Sequence, residues 1–139
     1  MAFVTRISVA FGETDPAGLV YYPNILHYCH VAMERFFAEC CNVAYSSLIQ
    51  DQRIGFPTVK VEAEFAVPIV YGDNIDVEMR ILKLGRSSIR VSYSISRSTD
   101  QVVCARIEQV QVAMDLITRH SRPIPNGLRE RFDELLHCL

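Results

Sequence analysis

The chain has 139 residues, half of them hydrophobic and 22% charged, with a formal net charge of −2 at pH 7. This length predicts a single domain over residues 1–139, and the composition excludes an intrinsically disordered chain. The near-neutral charge excludes the broad basic surface of a general nucleic-acid-binding protein. Any anionic ligand would need a local group of cations.

Five cysteines are present, and their spacing does not fit a disulfide scaffold or a zinc site. The number is odd, two of them are adjacent, and no CxxC pair occurs. We therefore expect free, buried thiols in a reducing cytoplasm. The sequence also lacks the continuous apolar core of a signal peptide and any apolar run of about 18 residues, so we expect no membrane span. The cysteines are Cys29, Cys40, Cys41, Cys104 and Cys138.

The first part of the chain predicts a strand, a long helix and a short helix. Alternation predicts a strand over residues 3–11, with Phe11 on the same side as the apolar residues before it. Helical spacing predicts the long helix over residues 23–41, with Pro23 at its first position, where the missing N–H costs nothing. A short helix over residues 44–51 follows. The apolar residues of the long helix are Ile25, Tyr28, Cys29, Ala32, Phe36 and Cys40.

Four strands and a terminal helix are predicted for the remainder. A change of phase in the last strand, near residues 108–110, predicts a β-bulge. Strands that follow one another without intervening helices indicate an α+β domain with an antiparallel sheet. The simplest packing wraps this curved sheet around the long helix. The predicted strands cover residues 59–67, 75–81, 89–95 and 102–117.

The segment FGETDPAGLVYYPN, residues 11–24, sets an acidic loop directly before the long helix. Asp15 is the candidate catalytic group, although Asp-Pro-Ala-Gly is also an ordinary turn in which the aspartate bonds its own loop. A helix start offers unpaired N–H groups and partial positive charge, which can stabilise an oxyanion. A nearby carboxylate can attack a carbonyl or activate water, and Gly18 permits a close approach. This pattern favours acyl transfer.

The same segment resembles a known enzyme family. Residues 15–24, DPAGLVYYPN, look like the signature of hotdog-fold acyl-CoA thioesterases of the 4-hydroxybenzoyl-CoA thioesterase type, including the YbgC-like branch. The resemblance covers nearly the whole chain, and the segment Gly-Arg-Ser-Ser at residues 85–88 is a weaker match. It implies a hotdog fold, a curved antiparallel sheet wrapped around a long central helix, and no metal or redox cofactor.

The resemblance also implies residue roles. In that family the loop aspartate acts on the thioester carbonyl as nucleophile or general base, and a backbone N–H at the helix start polarises the thioester oxygen. These roles fall to Asp15 and to the backbone N–H of Tyr22. Glu13 is a rival carboxylate, but the match of DPAG favours Asp15. His27 is expected to pack or donate hydrogen bonds. His30 replaces an acidic residue that is common in the family, which puts 4-hydroxybenzoyl specificity in doubt.

An acyl pocket is expected near the helix start and on the facing strands, although each candidate is equally compatible with plain core packing. Phe36, Phe37 and Tyr45 are expected to be packing residues. The substrate-binding candidates are Gly18, Tyr21, Ile25, His30, Phe56 and Pro57.

A group of cations and hydroxyls around residues 85–88 is the candidate CoA site. Arg86, Ser87 and Ser88 offer donors that match phosphate oxygens, and the resemblance favours this use, often across a subunit boundary. The alternative is a solvated hairpin. Arg119 and Arg122 form a weaker second candidate.

The resemblance implies a homodimer or homotetramer with active sites at the interface, since a lone hotdog domain leaves a sheet edge uncovered. The leading hypothesis is a cytoplasmic thioesterase that hydrolyses a short-chain or aromatic acyl-CoA, with no nucleic-acid or membrane partner. One alternative is a thioesterase acting on acyl groups carried by acyl carrier protein. Another is a non-catalytic acyl-CoA-binding module, which an intact Asp15 disfavours.

Overall fold

A five-stranded antiparallel sheet and a long helix dominate the computed structural model, which describes residues 2–137. No helix within these residues is long and apolar enough to cross a membrane. The elements in chain order are β1 (Phe3–Ser8), a 3₁₀ turn (Phe11–Glu13), α1 (Tyr22–Cys40), α2 (Tyr45–Gln50), β2 (Ile54–Gly55), β3 (Thr58–Phe65), β4 (Asn74–Leu84), β5 (Ser88–Arg97), β6 (Val103–Val112), β7 (Met114–Asp115) and α3 (Asn126–His137).

The sheet has the strand order β1-β4-β5-β6-β3, and α1 packs its apolar face against the inner side. β2 and β7 form a separate two-stranded ladder. Phe36 of α1 is fully buried, and its ring stacks on Phe132 of α3 with 5.9 Å between centroids. The predicted α+β architecture, a curved antiparallel sheet around a long helix, is confirmed.

β1 is shorter than predicted. It pairs with β4 from Phe3 opposite Met79 to Ser8 opposite Asn74, where β4 itself begins. Beyond that point no strand is available for pairing, and the chain turns into the 3₁₀ segment. Phe11 lies in the 3₁₀ segment and is 74% exposed, so its predicted place in the strand, on the same side as Ile7 and Val9, is wrong. Pro23 occupies the second position of α1, one residue later than predicted.

The predicted bulge in the last strand is also misplaced. The register against β5 shifts at Cys104, between the pairs Ile95–Ala105 and Ser96–Val103. From there onward the buried and outward positions alternate without interruption, and the buried ones include Gln109 and Gln111. Because these inward residues are polar, a pattern based on hydrophobicity alone assigns them to the outer face and places a change of phase where the strand has none.

β3 lies at one edge of the sheet and is exposed along its whole length. The strand pairs with β6, and its other edge is open within residues 2–137. Val59, Val61 and Phe65 are exposed although the alternation predicts an inward face. An uncovered apolar edge strand is a surface that proteins normally protect or pair.

The thiols follow the prediction where the structure describes them. Cys29 and Cys104 are buried, and Cys40 and Cys41 are half-buried free thiols. Burial raises the pKa of Cys29 to about 12. Cys138 lies outside the described residues.

Candidate active site

Asp15 sits in a tight loop directly before α1. An antiparallel bridge between Thr14 and Val20 closes the loop. The Asp15 N–H donates to the Leu19 carbonyl at 2.8 Å, and the Gly18 N–H donates to the Asp15 carbonyl at 2.9 Å. Gly18 has φ +83°, a left-handed conformation that glycine adopts without the steric penalty of other residues. Gly18 therefore shapes the loop.

The loop occupies one of the two Asp15 carboxylate oxygens. The Ala17 N–H donates to Oδ1 at 2.9 Å, and the Leu19 N–H is 3.4 Å from the same oxygen. Oδ2 accepts no hydrogen bond from residues 2–137, and the side chain is half-buried. The turn interpretation and the catalytic interpretation of Asp15 are thus compatible, because one oxygen is fixed by the loop and the other is left available.

The start of α1 presents one uncommitted donor. Tyr21 precedes the helix and offers no side-chain cap, and the first turn carries no acidic residue. Pro23 has no N–H, and the Asn24 N–H donates to the Tyr21 carbonyl at 2.8 Å. Within the described chain the Tyr22 N–H has no acceptor. It lies at the positive end of a 19-residue helix, which favours a ligand oxygen that carries negative charge.

Glu13, the rival carboxylate, is engaged in structural contacts. Its Oε1 accepts the Ala10 N–H at 2.7 Å and the Tyr28 hydroxyl at 2.9 Å. Burial and the Glu13 carboxylate raise the pKa of Tyr28, so its hydroxyl remains a donor at neutral pH.

An apolar groove of about 520 Å³ opens beside the helix start. Tyr22 and Phe65 line it and pack against each other, with 6.2 Å between ring centroids, and Ile25 also lines it. The Tyr22 side chain therefore lines a cavity in addition to flanking the candidate donor. Sequence reasoning missed Phe65, because its place on an edge strand could not be read from alternation.

The other substrate-binding candidates lie elsewhere. His30, Phe56 and Pro57 line a second pocket of about 360 Å³. His30 follows Tyr22 by eight residues, or about 12 Å along the helix axis. Its Nε2 is 3.6 Å from Glu34 Oε1, and its ring meets Tyr45 at 5.6 Å. The structure thus divides the candidates into two groups, and Tyr45, expected to be a packing residue only, also lines this second pocket.

Tyr21 belongs to neither cavity wall. Its side chain is exposed and lies against Tyr22, with ring centroids 5.5 Å apart.

The segment at residues 85–88 forms a well-anchored turn between β4 and β5. The Arg86 carbonyl accepts the Ile124 N–H at 3.0 Å and the Arg129 guanidinium at the same distance, and the Ser87 carbonyl accepts the Ala113 N–H. The Arg86 side chain is exposed and has no hydrogen-bond partner among residues 2–137. Sequence reasoning missed Arg129, whose contact depends on α3 reaching the turn.

Within one chain this turn is far from Asp15. The Asp15 loop borders the start of β4, because Leu19 bridges to Val70 and the Val9 N–H donates to Asp73. The turn follows the other end of β4, an 11-residue strand that spans roughly 30 Å. One chain therefore keeps Asp15 and Arg86 at opposite ends of the sheet.

Comparisons with known proteins agree with this architecture. A sequence model of the thioesterase-like superfamily matches residues 9–132. A 1,4-dihydroxy-2-naphthoyl-CoA hydrolase from Synechococcus elongatus is 30% identical over 123 residues, which cover 88% of each chain.

Solved structures give the same result. A 1,4-dihydroxy-2-naphthoyl-CoA thioesterase from Synechocystis is 25% identical, with a TM-score of 0.88 and 99% coverage of both chains. A gentisyl-coenzyme A thioesterase is 29% identical, with a TM-score of 0.82, covering 94% of this chain and 98% of that one. These likenesses confirm the predicted hotdog fold and thioester hydrolase activity. The chain belongs to the thioesterase-like superfamily.

Proposed function

We propose that this protein hydrolyses an aromatic acyl-CoA thioester to the free acid and CoA, with Asp15 as the catalytic carboxylate. The observation that carries the proposal is a free carboxylate oxygen, Asp15 Oδ2, on the short loop that leads into a helix start with an uncommitted N–H at Tyr22. The named substrates of the relatives, 1,4-dihydroxy-2-naphthoyl-CoA and gentisyl-CoA, support an aromatic acyl group over a short aliphatic one. The aromatic walls of the groove support the same choice.

In the proposed reaction the thioester oxygen accepts the Tyr22 N–H, and the helix end stabilises the negative charge that develops there. Asp15 then acts in one of two ways. As nucleophile, it bonds to the carbonyl carbon, the C–S bond breaks, CoA leaves as the thiolate, and water hydrolyses the mixed anhydride. As general base, it takes a proton from water, whose oxygen attacks the carbon, and the proton passes to the departing thiolate.

We further infer a homodimer formed through the open edge of β3. The Phe65 end of β3 borders the apolar groove beside the helix start, and the Thr58 end lies beside the second pocket and the turn at residues 85–88. A two-fold axis that pairs β3 antiparallel with its copy reverses these ends. It therefore brings Asp15 of one subunit near the His30 pocket and Arg86 turn of the other.

In this dimer each active site would be composed of residues from both subunits. The catalytic loop and the apolar groove come from one subunit, and the His30 pocket and the phosphate-binding turn come from its partner. Arg86, Ser87 and Ser88 would then bind CoA phosphates across the subunit boundary. A homotetramer made of two such dimers is compatible with the same site. A cytoplasmic location is part of the proposal and rests on the free thiols.

The test offers purified protein a panel of aromatic, short-chain and long-chain acyl-CoA esters and follows release of free thiol. We expect turnover of at least one aromatic ester. Asp15→Asn should lower kcat by roughly three orders of magnitude, as expected on loss of a nucleophile or base. Asp51→Asn is the matched control, because Asp51 is exposed and follows α2. Activity that survives in Asp15→Asn would remove Asp15 from its role, and tight binding without turnover would favour a binding module.

A further inference from the structure

Glu13 connects three parts of the chain around the catalytic loop. Its Oε1 accepts the Ala10 N–H at 2.7 Å, which closes the 3₁₀ turn after β1. The same oxygen accepts the hydroxyl of Tyr28 at 2.9 Å. Tyr28 is on the second turn of α1 and only 1% exposed, so the hydroxyl comes from the fixed face of the helix. One carboxylate oxygen therefore joins the entrance of the loop to the body of α1.

The backbone of Glu13 makes two more contacts to the start of α1. Its carbonyl accepts the Tyr21 N–H at 3.0 Å and the Asn24 side-chain amide at 2.9 Å. Tyr21 and Asn24 flank Tyr22, whose N–H is the candidate oxyanion donor. Glu13 thus holds the chain on both sides of that donor.

The two ends of the catalytic loop, residues 14–20, lie side by side next to Glu13. Thr14, next to Glu13, forms the bridge with Val20 that closes the loop, and Asp15 is the following residue. Contacts of Glu13 therefore help to fix the positions of both Asp15 and the Tyr22 N–H. A change in the conformation of Glu13 would move one of these groups relative to the other.

We propose that Glu13 is a positioning residue for the thioester hydrolysis, and that its carboxylate acts through Ala10 and Tyr28 to fix Asp15 against the Tyr22 N–H. The inference rests on the proposed function of Asp15. It assigns no proton transfer to Glu13, although this carboxylate is only two residues from Asp15. Neither contact of Oε1 requires a negative charge, because an amide oxygen accepts the same two hydrogen bonds.

That difference gives a direct test. Glu13→Gln keeps an acceptor for Ala10 and Tyr28 but removes the group that could take a proton. Glu13→Ala removes the side-chain acceptor and leaves the backbone carbonyl in place, and Tyr28→Phe removes one of the two donors to the carboxylate. Glu130→Ala is the control, since Glu130 is an exposed acid on α3, away from the loop.

Steady-state kinetics on the best aromatic acyl-CoA ester would be combined with amide hydrogen exchange of residues 14–20. We expect kcat of Glu13→Gln within about threefold of wild type, and kcat of Glu13→Ala lower by about tenfold or more, because small misplacements of reacting groups are costly. KM should stay within about twofold in both variants, since the acyl groove is untouched. Exchange of residues 14–20 should accelerate in Glu13→Ala and Tyr28→Phe and remain slow in Glu13→Gln and Glu130→Ala.

Three results would overturn the inference. A loss in Glu13→Gln as large as that in Asp15→Asn would make Glu13 a catalytic acid or base. Wild-type kcat in Glu13→Ala would make its contacts irrelevant to the reaction. Unchanged exchange in Glu13→Ala would mean that the Glu13 carboxylate does not hold the loop. Where Glu13→Ala does not fold, Tyr28→Phe carries the test, with an expected loss in kcat and faster exchange.

Kinetics and hydrogen exchange can fail independently of each other. A wild-type protein inert toward every CoA ester would refute the proposed function, whereas the exchange measurements would still decide whether Glu13 fixes the loop.

Discussion

Replacing Val61 by lysine tests the β3 dimer where the two subunits would meet. Val61 lies in the middle of Thr58–Phe65 and is 43% exposed, on the apolar side of the strand. A two-fold axis that pairs β3 antiparallel with its copy brings the two Val61 side chains together near the axis. Lysine at this position would set two like charges side by side and take them out of water.

The expected loss follows from the exposed fraction of Val61. Full burial of a valine side chain contributes roughly 1.5–3 kcal/mol, so covering less than half of one contributes about 1 kcal/mol. The dimer contains two copies, which gives about 2 kcal/mol before any repulsion between the lysines. Because 1.4 kcal/mol corresponds to a factor of ten, the dissociation constant of the dimer should rise at least about 30-fold.

Sedimentation velocity over a range of protein concentrations measures this change, and thiol release is followed at the same concentrations. Val4→Lys is the matched control, because Val4 is also exposed, at 53%, on the strand at the opposite edge of the sheet. We expect Val61→Lys to dissociate and to lose activity in parallel, and Val4→Lys to retain both. A dimer of unchanged affinity in Val61→Lys would refute the β3 interface. A monomer with full activity would refute the composite site.

Two further predictions concern the CoA site and the acid side of the stability curve. Arg86→Ala should raise KM for acyl-CoA about tenfold and leave kcat nearly unchanged. With the same acyl group on N-acetylcysteamine, which lacks phosphates, KM should be the same for the variant and the wild type. The hydrogen bond from Arg6 lowers the pKa of Asp76 in the folded protein. The pair therefore stabilises the fold at pH values above the normal pKa of an aspartate, about 3.9. This stabilisation is lost as the pH falls through the lower pKa of the folded state. Urea unfolding at pH 7 and pH 3 should therefore show a smaller loss of stability for Asp76→Asn than for wild type; an equal loss would contradict this assignment.

Local signals in the sequence predicted the elements well. The long helix was expected over residues 23–41 and is observed at Tyr22–Cys40, because apolar spacing and an early proline are properties of the segment itself. The errors in the end of β1 and in the position of the bulge have a common origin. Strand ends and bulges depend on the partner strand, so neither the end of β1 at Ser8 nor the shift at Cys104 is encoded by local hydrophobicity.

In the candidate site, too, arrangements of residues close in sequence could be predicted, and contacts between distant residues could not. Asp15 and Tyr22 are close in sequence, and their arrangement on a loop and a helix start could be predicted from that spacing. The contact between Glu13 and Tyr28 spans 15 residues and joins a turn to a buried helix face, and the sequence offers no signal for it. The separation of His30 from Ile25 into two pockets also depends on distant parts of the chain, because Phe65 lines the pocket of Ile25 and Thr58 lines the pocket of His30.

The exposed edge strand and the divided site have one physical explanation. Residues 58–65 carry an apolar stripe that a monomer leaves in water, which is unfavourable unless a second chain covers it. The same strand has the apolar groove beside the helix start at one end and the His30 pocket at the other. Antiparallel pairing with its copy would therefore bring the groove of one subunit next to the His30 pocket of the other, at two equivalent sites. A monomeric variant would retain the carboxylate and the Tyr22 N–H but lose the groups that hold the rest of the substrate. Assembly and catalysis are therefore expected to fail together in Val61→Lys, while Glu13→Ala should impair catalysis and leave the dimer intact.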